Sequence, residues 1–254
     1  MSPPLFSPDN TPASAAIKRV LGNPPRRPII IAQLGQSLDG RIATSTGASR
    51  WINRQAALSH LHALRACVDA VVVGVGTVIA DDPQLNVRHF RLPDGHRQPV
   101  RVILDPNARI PGSAKCLELA PDPRTADNRT IHITKPGAAL DQPGLKHIEL
   151  EPIDGQISPA AIVSALAKIG LNRLLIEGGA RTISRFLDAD VVDRLHVLVA
   201  PLLIGAGQNS LETRAIDRLS EARRPATQIH VFEDGDVLFD CDLRSRLNEP
   251  EIKS

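Results

Sequence analysis

Aromatic residues are scarce in this chain, which has five Phe, one Trp and no Tyr among 254 residues. Proteins that hold single-stranded nucleic acid stack its bases on aromatic rings, so this composition argues against that class. The formal net charge is only +2, from 30 basic and 28 acidic residues, and lacks the basic excess that is typical of nucleic-acid binders. We therefore expect no nucleic-acid partner.

Cysteines are also few, and long apolar runs are absent from the sequence. Cys67, Cys116 and Cys241 are scattered, with no C-x-x-C spacing, which indicates a reducing compartment and neither a disulfide framework nor a zinc site. No apolar run approaches the ~20 residues of a membrane-spanning helix. The N-terminus lacks the basic-then-apolar order of a signal peptide. We expect a cytoplasmic protein without a membrane partner or a bound metal.

The chain does have short apolar runs that alternate with helical patterns. Such runs, rich in β-branched residues, predict buried strands; they are Pro28–Leu34, Ala70–Val73, Val100–Leu104, Thr130–Thr134, Lys146–Leu150, Leu174–Ile176 and Arg194–Pro201. Two further runs, Thr227–Phe232 and Val237–Leu243, flank Glu233-Asp234-Gly235-Asp236 and predict a hairpin. The order predicts an α/β fold: a mostly parallel central sheet, flanking helices and an antiparallel C-terminal hairpin.

The composition along the chain predicts one domain with two tails. Residues 1–27 are rich in proline and predict a flexible N-terminal segment, with a helical turn or two between Ala15 and Leu21. The domain is expected over residues 28–246, and residues 247–254 are expected to fray.

Glycines and polar residues follow several of these strands. Glu177-Gly178-Gly179 closes one strand and precedes a helical pattern, an arrangement that lets a backbone approach a phosphate closely. For this stretch alone, a tight turn without a ligand is the favoured explanation. Similar motifs close other strands, at residues 35–39, 74–82, 105, 134–135 and 200–207. Ligands bind beyond the carboxyl ends of parallel strands, so together the motifs predict a binding cleft.

A helix is predicted from about Asn53 to about Cys67, with a buried stripe of leucines at three-residue spacing. His60 and His62 are two residues apart and point to different faces, so they do not form a helical metal site and are expected at the surface. Arg65 lies near the helix end, where a cation complements the helix dipole.

Several motifs occur together in a specific order. They are Gln33–Ala43, Ser49–Ile52, Gly74–Arg88, Glu177-Gly178-Gly179 and Ala200-Pro201. In this order they resemble the reductase domain of the bacterial riboflavin-biosynthesis deaminase/reductase protein, a family similar to dihydrofolate reductase in fold. The resemblance extends from about Pro28 to about Leu243.

The resemblance implies an NADPH-dependent reductase that acts on 5-amino-6-(5-phosphoribosylamino)uracil. Hydride would go to C1′ of the ribosyl group in its open imine form, giving the ribitylamino product. The zinc-ligand motifs of the deaminase domain that often precedes this one do not occur here, so deamination is not expected. A homodimer is implied as well.

The resemblance also implies roles for individual residues. The implied substrate contacts are Ser49, Arg65, Leu85, Arg88 and Glu177. The implied cofactor contacts are Gly35, Trp51, Thr77, Asp81, Gly178, Gly179, Ala180, Arg181 and Thr182. Asp81 and Glu177 are the catalytic candidates, with Asp81 the first acid to test as a proton donor. Lys135 is a candidate for the 2′-phosphate of the adenosine.

Some positions differ from the family pattern. Gln33 stands where Lys is common, and Ala180-Arg181 stand where Pro-Thr is frequent. Leu202 and Pro106 replace a usual Lys and Ser. These differences leave two alternatives open: a related reductase for another pyrimidine, pterin or flavin-like ring, and a binding module without turnover.

Overall fold

The computed structural model of the chain describes residues 3–22, 27–118, 130–138 and 145–246. Its helices are α1 (Ser14–Leu21), α2 (Gln55–Ala66), α3 (Val75–Asp81), α4 (Pro159–Lys168) and α5 (Ala180–Asp188). Its strands are β1 (Ile29–Ser37), β2 (Arg41–Thr44), β3 (Ala70–Gly74), β4 (Val100–Leu104), β5 (Thr130–Thr134), β6 (Leu145–Glu149), β7 (Arg173–Ile176), β8 (Arg194–Ala200), β9 (Gly207–Asn209), β10 (Pro225–Val231) and β11 (Val237–Arg246).

A sheet of nine strands organises the domain, in the order β10-β11-β8-β1-β7-β3-β4-β5-β6. All neighbours from β8 to β6 run parallel. Strand β11 is antiparallel to both β8 and β10, so the predicted C-terminal hairpin is confirmed. Strands β2 and β9 form a separate antiparallel pair. The predicted α/β class is therefore confirmed.

Both faces of the sheet are covered, as expected for parallel strands. The centre of β3 shows this, because Val71 and Val73 pack into one apolar cluster while Val72 packs into the other. Helices α1, α2 and α3 contribute to the first cluster, and α4 and α5 to the second. Within the described residues, no helix combines the length and apolar character needed to cross a bilayer.

The N-terminal segment differs from its prediction. Residues 3–22 pack on the domain, with Phe6 and Ile17 buried. Arg19 of α1 donates two hydrogen bonds to Asp240 Oδ2 on β11, from Nε at 3.0 Å and from Nη2 at 2.7 Å. The proline-rich composition predicts flexibility, whereas the apolar face of α1 packs on the domain. The helical turns predicted between Ala15 and Leu21 correspond to α1. The predicted tail at 247–254 lies outside the described residues.

The two histidines of α2 also differ from their prediction. His60 and His62 are 0% and 3% exposed. His60 Nε2 lies 3.0 Å from His196 Nδ1 on β8, and the two rings stack. The surface assignment was wrong because α2 is covered on more than one side, by the sheet and by the loop that follows α3. Hydrophobic periodicity along one helix predicts a single buried face, so it gives no sign that a second side of α2 is also covered.

Candidate active-site cleft

A cleft of about 1390 Å³ lies beyond the carboxyl ends of β1, β3, β4 and β7. Residues of the predicted motifs at 35–39, 74–82 and 177–182 meet at this cleft, whereas residues 105, 134–135 and 200–207 do not line it. Every predicted substrate or cofactor contact except Lys135 lines this cleft. The residues are Gly35, Ser49, Trp51, Arg65, Thr77, Asp81, Leu85, Arg88, Glu177, Gly178, Gly179, Ala180, Arg181 and Thr182. The cleft has two chemically different ends, which we call the glycine end and the arginine end.

The glycine end consists of two interlocked turns, from β3 into α3 and from β7 into α5. Gly178 has φ +92°, and a Cβ there would lie 2.6 Å from Thr77 Oγ1. Gly179 N donates to the same Thr77 oxygen at 2.9 Å. In return, a Cβ on Gly74 would lie 2.6 Å from Thr182 Oγ1. Gly178 combines a positive φ with this clash and requires glycine, and a Cβ on Gly74 would force Thr182 to move, because each turn fills the space beside the other.

Two helices begin at this end. Gly179 precedes α5 and Gly74 precedes α3, and neither helix has a side chain that caps its first N–H groups. The first N–H groups of a helix have no partner within the helix and carry partial positive charge. Such groups bind phosphate. The exposed Arg181, in the first turn of α5, adds a cation beside them.

A loop with an exposed tryptophan forms another wall. Trp51 is 81% exposed and has φ 69°, a conformation that is costly for a bulky residue. Trp51 is thus not a core anchor, and its ring is free to cover a planar ligand at the cleft. Nearby, Ser49 Oγ donates to Asp81 Oδ1 at 3.4 Å, which joins this loop to α3. Across the cleft, a Cβ on Gly35 would lie 1.9 Å from Asn53 Oδ1.

The arginine end is built on a buried ion pair. Arg65 donates from Nε to Glu177 Oε1 at 2.8 Å and from Nη2 to Oε2 at 2.7 Å. The two side chains are 7% and 6% exposed. Arg65 Nη1 also donates to the carbonyl oxygen of Asn86 at 3.1 Å. A role limited to complementing the helix dipole is therefore excluded, because Arg65 fixes both Glu177 and the loop after α3, which contains Asn86, in one geometry.

Arg88 and two histidines complete this end. Arg88 N donates to His62 Nδ1 at 3.1 Å, so that nitrogen carries no proton. Burial, and then the charge of Arg65, lower the pKa of His62 to about 2. His89 stacks on His62 with ring centroids 4.1 Å apart, and burial, followed by Arg88, lowers the pKa of His89. Glu177 balances the charge of Arg65, so the net positive charge of this end comes from Arg88, which lies beside neutral histidines and is suited to an anion.

The structure also shows cleft residues that the sequence reasoning missed. Lys135 does not line the cleft, whereas Arg109 and Lys115 do. Lys115 Nζ is paired with Asp82 at 2.9 Å, and Arg109 is 59% exposed. Arg109 follows β4. The rule that ligands bind beyond the carboxyl ends of parallel strands, which indicated residue 105, could therefore also have indicated Arg109. The inward placement of His62 gave no such signal, because it depends on contacts with a distant loop.

Fold and cleft together define an α/β domain with a ligand-sized cleft beyond the carboxyl ends of its parallel strands, where two helices begin at one end and Arg65 and Arg88 lie at the other. Comparison with known protein families identifies the family to which this domain belongs. Residues 28–231 match the model of the RibD C-terminal domain, and the chain belongs to that family.

Individual relatives agree with this family. The chain is 37% identical over 219 residues to the riboflavin biosynthesis protein RibD of Aquifex aeolicus, covering 84% of this chain and 58% of that protein. It is 31% identical over 211 residues to the 2,5-diamino-6-ribosylamino-4(3H)-pyrimidinone 5′-phosphate reductase of Methanothermobacter thermautotrophicus, covering 78% and 90%. Among solved structures, Acinetobacter baumannii RibD superimposes with a TM-score of 0.72 at 30% identity, covering 85% of this chain and 58% of that one. The chain thus spans a little over half the length of these RibD proteins.

Proposed function

We propose that this chain is an NADPH-dependent reductase that converts the ribosyl group of 5-amino-6-(5-phosphoribosylamino)uracil to the ribitylamino group. The observation that carries the proposal is the two-ended cleft, with paired helix N-termini at one end and the Arg65–Glu177 pair beside Arg88 at the other. The Methanothermobacter relative, named as a reductase of a ribosylaminopyrimidinone phosphate, supports this chemistry.

The glycine end is the proposed cofactor site. Backbone N–H groups at the start of α5, from Ala180 onward, would bind the pyrophosphate of NADPH, which supplies hydride when bound. Gly35, Thr77, Gly178, Gly179 and Thr182 would allow the close approach, and Trp51 would cover a ring of the cofactor. Arg109 is the cation we assign to the adenosine 2′-phosphate, in place of Lys135, because it lines the cleft and is 59% exposed.

The arginine end is the proposed substrate site. Arg88 would pair with the ribose phosphate, because a guanidinium group matches phosphate oxygens. Glu177, fixed by Arg65, would accept hydrogen bonds from the pyrimidine edge with its remaining lone pairs. Leu85 and Ser49 would form the walls between the two ends. Protein and cofactor contacts would thereby align the reacting carbon with the hydride donor and exclude water.

Reduction of the open imine requires one hydride at C1′ and one proton at the attached nitrogen. Asp81 is the proposed proton donor, because its carboxyl group lies at the cleft at the end of α3, accepts a hydrogen bond from Ser49 Oγ and is open to exchange protons with solvent. Glu177 is proposed to orient the substrate ring. Replacing Asp81 by Asn is expected to lower kcat strongly while leaving NADPH binding in place.

A direct assay tests the proposal. The purified chain is mixed with NADPH and the ribosylaminouracil phosphate, and NADPH oxidation is followed by absorbance. Saturable oxidation with formation of the ribitylamino product is expected. NADPH binding without oxidation in the presence of this substrate would contradict the proposal.

A second candidate function is reduction of another pyrimidine, pterin or flavin-related ring. The observation that favours it is Gln33, which lines the cleft, is 7% exposed and offers a neutral amide in place of a cation. A panel of such rings in the same assay separates the two candidates by kcat/KM. If the second candidate holds, another ring will outperform the ribosylaminouracil phosphate.

We also propose that the chain works as a homodimer in the cytoplasm. Large apolar side chains are exposed on β10 and in the segment after β8, namely Ile229, Val231, Leu202 and Leu203, and a second copy would cover such a surface. The three cysteines are free and buried, which supports a reducing compartment. Light scattering in solution tests the dimer.

A further inference from the structure

The loop that carries Arg88 is held on its outer side by a part of the chain outside the matched family region. Phe6 N donates to the carbonyl oxygen of Arg91 at 2.8 Å, and Arg91 N donates to the carbonyl oxygen of Pro4 at 2.8 Å. These bonds add a short parallel bridge between Leu5 and Arg91. The family match begins only at residue 28. The N-terminal segment therefore pairs directly with the chain three residues beyond Arg88.

Side chains strengthen this attachment. The rings of Phe6 and Phe90 meet edge to face with centroids 5.6 Å apart, and the two residues are 7% and 6% exposed. Phe90 adjoins His89, the residue that stacks on His62 at the arginine end of the cleft. A well-packed aromatic pair thus stands directly behind the binding wall.

The N-terminal segment is itself fixed at its far end. Arg19 binds the buried Asp240, and Arg173 Nη2 donates to the carbonyl oxygen of Leu21 at 2.7 Å. Helix α1 buries Ile17 and Val20 in the apolar cluster that also contains Leu85 and Val87 of the loop. Because the N-terminal segment is fixed at both ends, its position restrains the position of the loop.

The loop needs such support. Leu85 has φ +55°, a conformation that side chains disfavour, so contacts elsewhere must maintain it. On the inner side Arg65 holds Asn86, and His62 holds the amide of Arg88. Among the residues that the structure describes, the guanidinium of Arg88 donates hydrogen bonds to Gln84 and Asn86 of its own loop. Its position therefore follows the backbone of the loop.

We propose that the N-terminal segment, residues 3–22, is a positioning element of the substrate site, and that Phe6 is its main contact through Phe90 and Arg91. The inference rests on the proposed function, because it assigns the arginine end to a phosphorylated substrate. Phe6 would act on the substrate through Arg88 and His89, and not on the cofactor.

The test is the full-length Phe6→Ala variant. We expect the KM for the ribosylaminouracil phosphate to rise about five- to tenfold, with kcat within twofold and the NADPH dissociation constant unchanged. The Phe6→Leu variant should restore most of the affinity. Leu166→Ala is the matched control, because Leu166 is fully buried in α4 and does not line the cleft. That variant should lose stability but keep its KM.

Hydrogen exchange gives a second readout that needs no turnover. The amides of Arg88 and Arg91 should exchange at least tenfold faster in Phe6→Ala than in the wild type, while amides at the start of α5 stay unchanged. Unaltered exchange at Arg88, or a KM equal to that of the wild type, would overturn the proposal. Inactivity of the wild-type chain toward the substrate would instead count against the proposed function, and the exchange result would still decide the positioning role.

Discussion

The two ends of the cleft are shaped by different parts of the polypeptide, the backbone at one end and side chains at the other. At the glycine end, the shape comes from the backbone: Gly74 and Gly178 leave room for two turns to interlock, and two helices begin there. At the arginine end, the shape comes from long side chains, with Arg65 and Glu177 joined across 112 residues of sequence. One end is thus shaped by two backbone turns packed against each other, and the other by an ion pair between two long side chains. This difference predicts how substitutions at each end should lower stability or ligand binding.

The arginine end should fail most severely, because breaking a buried ion pair leaves an uncompensated charge. We expect Arg65→Ala to lower the free energy of unfolding by about 3–5 kcal/mol. Urea denaturation measures this loss. The double variant Arg65→Ala with Glu177→Gln should recover part of it, since the stranded carboxylate is then removed. A loss below about 1 kcal/mol in the single variant would show that Glu177 is not held by Arg65.

The glycine end should fail through steric strain. We expect Gly178→Ala to cost about 2–4 kcal/mol, because it adds positive-φ strain and a clash with Thr77. Gly179→Ala is the matched control: no positive φ is required there, and its Cβ would lie an ordinary 3.6 Å from Thr77 Oγ1. Thermal unfolding compares the two variants. Equal melting temperatures would contradict the interlocked turns.

The ends should also differ in their response to pH. The pKa of His62 is lowered to about 2, so below pH 6.5 the unfolded chain binds a proton that the folded chain does not. Stability from this residue is present above pH 6.5 and is lost as pH falls, by about 2 kcal/mol between pH 6.5 and 5. His60 and His196, whose pKa values are lowered by burial, act in the same direction.

The variant His62→Gln isolates that contribution. Its stability, measured by urea denaturation from pH 7 to 5, should fall less steeply than that of the wild type. The remaining slope belongs to the other histidines whose pKa values burial lowers, namely His60, His89, His196 and His230. An identical slope in both proteins would mean that His62 titrates normally in the folded state.

The smallest expected effect is on substrate affinity alone. Arg88 is exposed, so Arg88→Ala should leave stability nearly unchanged. We expect its KM for the phosphorylated substrate to rise about tenfold, equivalent to about 1.4 kcal/mol, with the KM for NADPH unchanged. Lys146→Ala, an exposed cation on β6 outside the cleft, is the control and should change neither value.

The contrast between the ends also explains what the sequence could predict. The strands were predictable because β-branched runs such as Ala70–Val73 carry a local signal. The glycine end followed from one topological rule, that the carboxyl ends of parallel strands meet at one edge. The pairing of Arg65 with Glu177 and the burial of His62 depend on contacts between distant segments, and no pattern within one helix records such contacts.

The N-terminal segment shows the same limit. The composition of residues 1–27 predicted flexibility, yet Arg19 binds Asp240, more than two hundred positions away. Composition reports the average tendency of a segment, whereas its attachment here depends on one ion pair and a few apolar side chains such as Phe6 and Ile17. Those contacts become visible only when the partner surface is known.

One measurement tests the central claim that the two ends bind different ligands. Trp51 is the single tryptophan and lies at the cleft, so its fluorescence reports NADPH binding. We predict that NADPH binds the wild type saturably, that Gly179→Val weakens this binding at least tenfold without unfolding the protein, and that Arg88→Ala leaves it within twofold. An unchanged NADPH dissociation constant in Gly179→Val would contradict the assignment of the glycine end to the cofactor.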